Sequence, residues 1–232
     1  VRLAVVGYGR MGRAVAELAV ARGHVIQATF GRADNVNGAG LTSSALADVD
    51  VAVEFTRPEA VVANLERLLD AGIPTVTGTT GWTAELPRIV RLVESQRGAL
   101  LHAANFSIGV QLFLRAARDL ASRFAGRPGF DAFILEQHHA AKVDAPSGTA
   151  LALRELLRDA DRAHHFPITS VRAGSIPGTH TVTYDGPDDA VTLSHVARGR
   201  RGFAAGALDA AEWLPGHPGV HTFESMLFGG TG

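Results

Sequence analysis

The chain has 232 residues, 46% apolar and 19% charged, enough to build one large core or two smaller ones. Its 22 basic and 23 acidic side chains nearly cancel, which argues against a surface made for nucleic acid or an anionic membrane. The absence of cysteine excludes a disulfide framework, a thiol nucleophile and a Cys-ligated metal.

No apolar run approaches membrane-spanning length, and the first residues already read as a strand, so a soluble, cytoplasmic protein is expected. Leu3 to Val6 is that strand. It ends in Gly7-Tyr8-Gly9-Arg10-Met11-Gly12, and a helical pattern through Ala14, Val15, Leu18 and Ala19 follows. Strand, glycine turn and helix stand in the order of the dinucleotide fingerprint: Gly7 for a tight turn, Gly9 for close approach to a pyrophosphate, Gly12 for helix on strand. The helix start then offers free N–H groups and a positive dipole end to phosphate.

A second strand, Val25 to Phe30, ends in Gly31-Arg32, where an NAD-binding chain commonly carries an acid for the ribose hydroxyls. Arg32 suits a 2′-phosphate, which favours NADPH and leaves NADH open; the alternative is a solvated loop arginine. Further strands are expected at Val49 to Phe55, Thr75 to Thr77 and Ala99 to His102. Helices are expected between them, one opening with a capping box at Thr56-Arg57-Pro58-Glu59 and one running from about Ala84 to Gln96. This alternation predicts an α/β fold with a doubly wound parallel sheet of Rossmann type. Ligands in such sheets sit beyond the carboxyl ends of the strands. Gly78-Thr79-Thr80-Gly81 and Ala103-Ala104-Asn105-Phe106-Ser107 should therefore share a rim with the glycine turn, with small residues beside a nicotinamide and Asn105 able to bond its carboxamide.

After an amphipathic helix from Ile108 to Arg123 the pattern changes. A strand at Phe130 to Leu135 and a helix from Ser147 to about Arg158 precede strands at Thr169 to Arg172, His180 to Tyr184 and Ala190 to Val196, which predicts an α+β domain with an open mixed sheet. Another helix is expected at Gly202 to Leu214, and a strand or helix at Val220 to Leu227 that returns to the first domain. The domains are drawn at 1–107 with 201–232, and at 108–200.

Between these strands lies EQHHAAKVDAPSGT, residues 136–149. Of the 22 basic residues only Lys142 is a lysine; the other 21 are arginines, which do not titrate in proteins. Keeping the one proton-donating cation here points to chemistry. Pro146-Ser147 before an apolar helical run marks a helix start, so the amides of Gly148 and Thr149 stand beside His138, His139 and Lys142 as an anion site fit for a carboxylate. Asp144 is placed to orient one of the cations or to help fix the turn. Spacing alone does not assign roles to His138 and Lys142, and a hydrogen-bonded surface pair of histidines is the plainer reading. No third metal ligand appears at recognisable spacing, so no metal is assigned.

With these motifs assembled, the chain resembles the 4-hydroxy-tetrahydrodipicolinate reductase (dihydrodipicolinate reductase) family over nearly its whole length. The resemblance rests on GYGRMG, EFTRPE, GTTG, AANFSIGV, E-x-HHxxKxDAPSGTA and VRAGSIPGTHTV, of which the HHxxKxDAPSGTA element is the most specific. It implies NADPH- or NADH-dependent reduction of a dicarboxylate in lysine and diaminopimelate biosynthesis, by a homotetramer whose second domain binds substrate and makes the tetramer. It further implies His138 and Lys142 as the proton-handling pair, and His139, Ser147, Gly148 and Thr149 at the substrate carboxylates. Gly7, Tyr8, Gly9, Arg10, Met11, Gly12, Arg32, Gly78, Thr79, Thr80, Ala103, Ala104, Asn105 and Phe106 are the implied cofactor positions. Three departures stand out: Gly31 replaces an acid, Glu54 replaces the more usual Asp, and the segment 162–167 is short. The rival readings are another small-acid dehydrogenase and a non-catalytic NAD(P)-binding sensor.

Overall fold

A computed structural model describes residues 1–229; residues 230–232, which the sequence reading joined to the returning chain end, lie outside it. The chain falls into two compact units, one of Val1–Ser107 with the chain from Arg200 onward, the other of Ile108–Gly199.

In the first unit, strands β1 (Arg2–Val6), β2 (Val25–Phe30), β3 (Val51–Glu54), β4 (Thr75–Thr77), β5 (Ala99–His102) and β10 (Gly219–Thr222) form one sheet in the order β10-β5-β4-β3-β1-β2. Every pairing is parallel. Residues 3–6 of β1 and 51–53 of β3 are apolar and buried on both faces because helices cover both sides. On one side α1 (Arg10–Ala21) and α6 (Arg201–Trp213) pack through Val15, Ala19, Ala207 and Leu208 against Leu3, Val53 and Val76. On the other, α2 (Pro58–Asp70) and α3 (Leu86–Gln96) close over Leu100 through Leu65 and Ile89. The direction of strand order reverses between β1 and β3, the place where such sheets open a ligand crevice.

Three expectations change. The capping box at Thr56 does not form: the N-cap is Arg57, and the Thr56 hydroxyl is spent on the Glu54 carboxylate. The helix placed from Ala84 is a 3-10 turn over Thr83–Glu85 before α3, with Pro87 in the first turn of α3, where a missing N–H costs nothing. The closing segment is both elements, β10 pairing with β5 and then α7 (Phe223–Phe228).

The second unit is a four-stranded mixed sheet, β7-β6-β8-β9, of β6 (Asp131–His138), β7 (Ile168–Arg172), β8 (Thr179–Asp185) and β9 (Ala190–Val196). β6 pairs parallel with β7 and antiparallel with β8. One face is covered by α4 (Ile108–Phe124) and α5 (Gly148–Ala160), whose Phe113, Ala117, Leu153 and Leu157 pack on Ala132, Ile134, Val182 and Tyr184. The opposite face carries Phe133, Leu135, Thr181, Thr192 and Ser194, half-buried or exposed. No described helix is long and apolar enough to cross a membrane.

Gly206 sets how close α6 comes to the segment after β5, since a Cβ there would fall on the Phe106 carbonyl and come within 2.7 Å of the Phe223 ring. Gly206→Ala is expected to cost about 1–3 kcal/mol in urea unfolding. Gly202→Ala, four residues earlier on the same helix with nothing within 4 Å of the added carbon, should cost nothing.

Candidate active site

In the first unit the loops expected to hold a dinucleotide stand at the carboxyl ends of β1, β4 and β5. Gly7 takes φ +92, and a Cβ there would meet the Phe55 carbonyl; one at Gly12 would meet the Gly7 carbonyl. Both positions need glycine. Gly9, the N-cap of α1, has nothing within 4 Å of its missing side chain, and the first turn of α1 has no acidic residue. That leaves open backbone and a positive helix end, the donor set a pyrophosphate fits. Tyr8 and Arg10 are exposed, Met11 is half-buried, and the Arg13 guanidinium lies 5.5 Å from the centre of the Tyr8 ring.

Past β2, Arg32 is exposed, whereas Asp34 folds back to accept the Gly31 N–H at 3.3 Å. The nearest acid is thus engaged with its own turn. Thr79, Thr80, Gly81, Trp82, His102, Ala103 and Ala104 line an open recess of about 160 Å³. The structure therefore joins the two loops that the sequence reading put on one rim. Asn105 turns its amide oxygen to the Ser107 N–H at 2.8 Å, and Phe106 is buried against Phe55 and Phe223. What Phe106 leaves for a ligand is backbone.

The departure at Glu54 is absorbed inside the protein. Its buried carboxylate accepts the Thr77 hydroxyl at 2.6 Å, the Thr56 N–H at 3.1 Å and the Thr56 hydroxyl, and Asn64 reaches it at 3.4 Å. Thr56 N–H is shared with the Thr79 hydroxyl at 2.8 Å, so this network holds the GTTG loop from below.

In the second unit β6 runs three residues further than expected, so His138 is the last residue of a strand rather than part of a loop. Glu136 and His138 lie two apart and share a face. Register places His180 of β8 opposite Glu136, and Arg172 of β7 opposite His138. Glu136, fully buried, accepts His138 Nδ1–H on one oxygen; on the other it accepts Arg172 Nη2 at 2.6 Å and Ser147 N–H at 3.3 Å. Arg172 also donates to the Asp144 carbonyl at 2.6 Å. Lys142 Nζ pairs with Asp144 Oδ1 at 2.6 Å, the orienting contact expected of Asp144. Ser147 is the N-cap of α5: its hydroxyl accepts the Ala150 N–H at 3.2 Å and is hydrogen-bonded to His180 Nε2 at 3.1 Å. Gly148 and Thr149 open the first turn, where amides have no intrahelical acceptor, and Gly148 has open space around it. His139 follows His138 half-buried. Arg198, Arg200 and Arg201 are exposed on a loop and helix start.

From the sequence, Glu136 and Arg172 carry no assigned role in the site, and His180 is expected to be a structural strand residue. For Glu136 the signal was present, since strand alternation puts it beside His138. Arg172 and His180 arrive only through sheet register. No sequence spacing marks a metal site here, but the fold brings ligand atoms of Glu136, His138 and His180 within 4.8 Å of one another. Both oxygens of Glu136 are nonetheless taken by protein donors, and one of those donors is a guanidinium.

Burial sets the direction for the histidines of this cluster, and hydrogen-bond partners set it for the acid. Burial alone would raise Glu136, but Arg172, Ser170 and His138 outweigh it and hold the acid down at about 2. Burial, with His138 adding to it, lowers His180 to about 4. Burial also lowers His138, with Glu136 pulling partly back. Both a depressed carboxylate and a depressed histidine bind fewer protons folded than unfolded, so both lose stability as pH falls. For His180 the window runs from its ordinary 6.5 down to about 4, and for Glu136 from 4.5 down to about 2. The unfolding free energy should fall by about 3 kcal/mol through the upper window from His180 alone, and His180→Gln should flatten that limb in urea titrations at stepped pH.

Comparison with known proteins bears directly on these two units. The family described as dihydrodipicolinate reductase matches this chain in both its parts, the N-terminus over residues 1–106 and the C-terminus over residues 109–227. A 4-hydroxy-tetrahydrodipicolinate reductase of Christiangramia forsetii is 35% identical over 237 residues, covering 97% of each chain. One from Thiobacillus denitrificans is 35% identical with 98% of each covered. In fold, the chain is similar to a dipicolinate-bound dihydrodipicolinate reductase from Paenisporosarcina sp. TG-14, with a TM-score of 0.82 at 23% identity over 97% of this chain and 99% of that one. With both family parts matched in order along one chain, and relatives this similar over their full length, the chain belongs to the dihydrodipicolinate reductase family.

Proposed function

We propose that this chain reduces 4-hydroxy-tetrahydrodipicolinate to tetrahydrodipicolinate, consuming one NADPH or NADH and one proton and releasing water, in lysine and diaminopimelate biosynthesis. The observation that carries this reading is the second-unit cluster: a buried histidine at a strand end, the sole lysine in the loop after it and the open helix start that follows, in a chain whose other unit has the glycine turn.

When bound, the reduced nicotinamide supplies the hydride; the rest is work for the chain's own groups. Gly7 to Gly12 offer backbone amides to the pyrophosphate, and the small residues at 78–80 and 103–104 let a flat ring approach. Gly148 and Thr149 amides, with Ser147 and His139, receive the substrate carboxylates. Lys142, oriented by Asp144, donates the proton that neutralises charge left by hydride addition, and His138 Nε2 exchanges protons in the same step. Arg32, with Asp34 drawn off to Gly31, supports acceptance of the NADPH 2′-phosphate. Reduced nicotinamide is a cytoplasmic currency, and the cytoplasm is the proposed compartment.

The reading includes a homotetramer. Its support is the uncovered sheet face in the second unit, where Phe133 is 40% exposed beside the paired hydroxyls Thr181–Ser194 and Thr183–Thr192. Light scattering should give four chains per particle, and Phe133→Asp should lower that mass; a monomeric wild type would end this part of the reading.

A coupled assay supplying the upstream synthase product tests the reaction, with turnover expected from both cofactors and the lower KM for NADPH. Cofactor binding without turnover would favour the sensor. In the same assay Lys142→Arg, which keeps the charge but not a ready proton, should lower kcat by about 10²- to 10⁴-fold with an unchanged unfolding curve.

A further inference from the structure

Glu136 touches both halves of the second-unit cluster at once. We infer that Glu136, clamped by Arg172, is a positioning residue: it holds His138 with Nε2 as its working nitrogen, and pins the start of α5 that faces the substrate. The inference rests on the reductase reading and deepens it.

His138 Nδ1 donates to one Glu136 oxygen, so the neutral ring carries its proton on Nδ1 and leaves Nε2 as the nitrogen that gains and loses protons. Space at Nε2 is kept by Gly178, where a Cβ would come within 3.1 Å of that atom. The second Glu136 oxygen takes Ser147 N–H, the residue that caps α5. Arg172 neutralises the acid and, through the Asp144 carbonyl, ties in the loop that bears Lys142. A single buried carboxylate thus sets the tautomer of the proton carrier and the position of the carboxylate-binding amides. The catalytic triad's buried aspartate does comparable work for its histidine.

The groups facing His138 are Glu136 on its own strand, Arg172 from β7, His180 from β8 and Lys142 from the loop. Only Glu136 is an anion. Glu136→Gln removes the one charge that favours the imidazolium and leaves the two cations, so the pH–kcat limb belonging to His138 should move to lower pH. The variant should lose about 10- to 100-fold in kcat. In a His138→Gln background the same change should cost clearly less, because the ring it positions is gone and only the share acting through the start of α5 is left to lose. An unmoved pH limb, or an equal loss in both backgrounds, would overturn the inference in favour of a purely structural acid.

Unpairing Arg172 could unfold the variant, so the wild-type enzyme supplies an independent measurement. Ring ¹⁵N chemical shifts of His138, assigned by its loss in His138→Gln, should show the neutral ring protonated on Nδ1. A ring protonated on Nε2 would refute the positioning role. Absence of turnover in the wild type would count against the reductase reading, while the ring tautomer would still decide the role of Glu136.

Discussion

A carboxylate with no access to water must find its compensation inside the protein or lose its charge, and Glu136 finds it above all in His138, Ser147 N–H and Arg172, with Ser170 helping. Each of the first three is a residue that the site needs in a fixed position: a histidine on the same strand, the cap of the following helix and an arginine on the neighbouring strand. The loop from His139 to Pro146 has few other anchors; Ala140 N–H reaches the Gly174 carbonyl, and Lys142 pairs with Asp144. Removing the acid would release strand end, loop and helix start together. A functional cluster built on loop residues acquires in this way the rigidity of the sheet beneath it.

The first unit solves a different problem by a different means. A dinucleotide needs backbone close to it, so the side chains that would stand in the way are absent. Gly7, Gly12 and Gly78 each lie where a Cβ would collide with Phe55 or with the glycine turn itself, whereas Gly9 is bare toward open space. Below them, Glu54 gathers Thr56, Thr77 and Asn64. Glu54 keeps a full set of donors, so this buried acid leaves no unpaired charge. Both units therefore rest a working loop on a buried carboxylate.

Local chemistry explains most of what was legible in the sequence. The alternation of short apolar runs with helical periods is a one-dimensional signal, and it located the parallel sheet and most helices to within a few residues. Ser147 as a cap and the pairing of Lys142 with Asp144 beside it are also local, and the structure shows both. The errors arose where a local signal had a competitor. Thr56 reads as a cap until Glu54 claims its hydroxyl, and Phe130 to Leu135 reads as a whole strand because polar Glu136, Gln137 and His138 do not look apolar enough to continue it.

The amino-acid order by itself determined the glycine turn and the short stretch in which histidines, lysine and a helix start meet, because each depends on residues within a few positions of one another. Only the tertiary structure decided that Arg172 and His180, 36 and 44 positions beyond Glu136, would face the same buried acid. Strand pairing sets those neighbours. Register between β6, β7 and β8 is fixed by which faces of the whole sheet must be buried, a sum over many side chains that no short stretch of the chain contains.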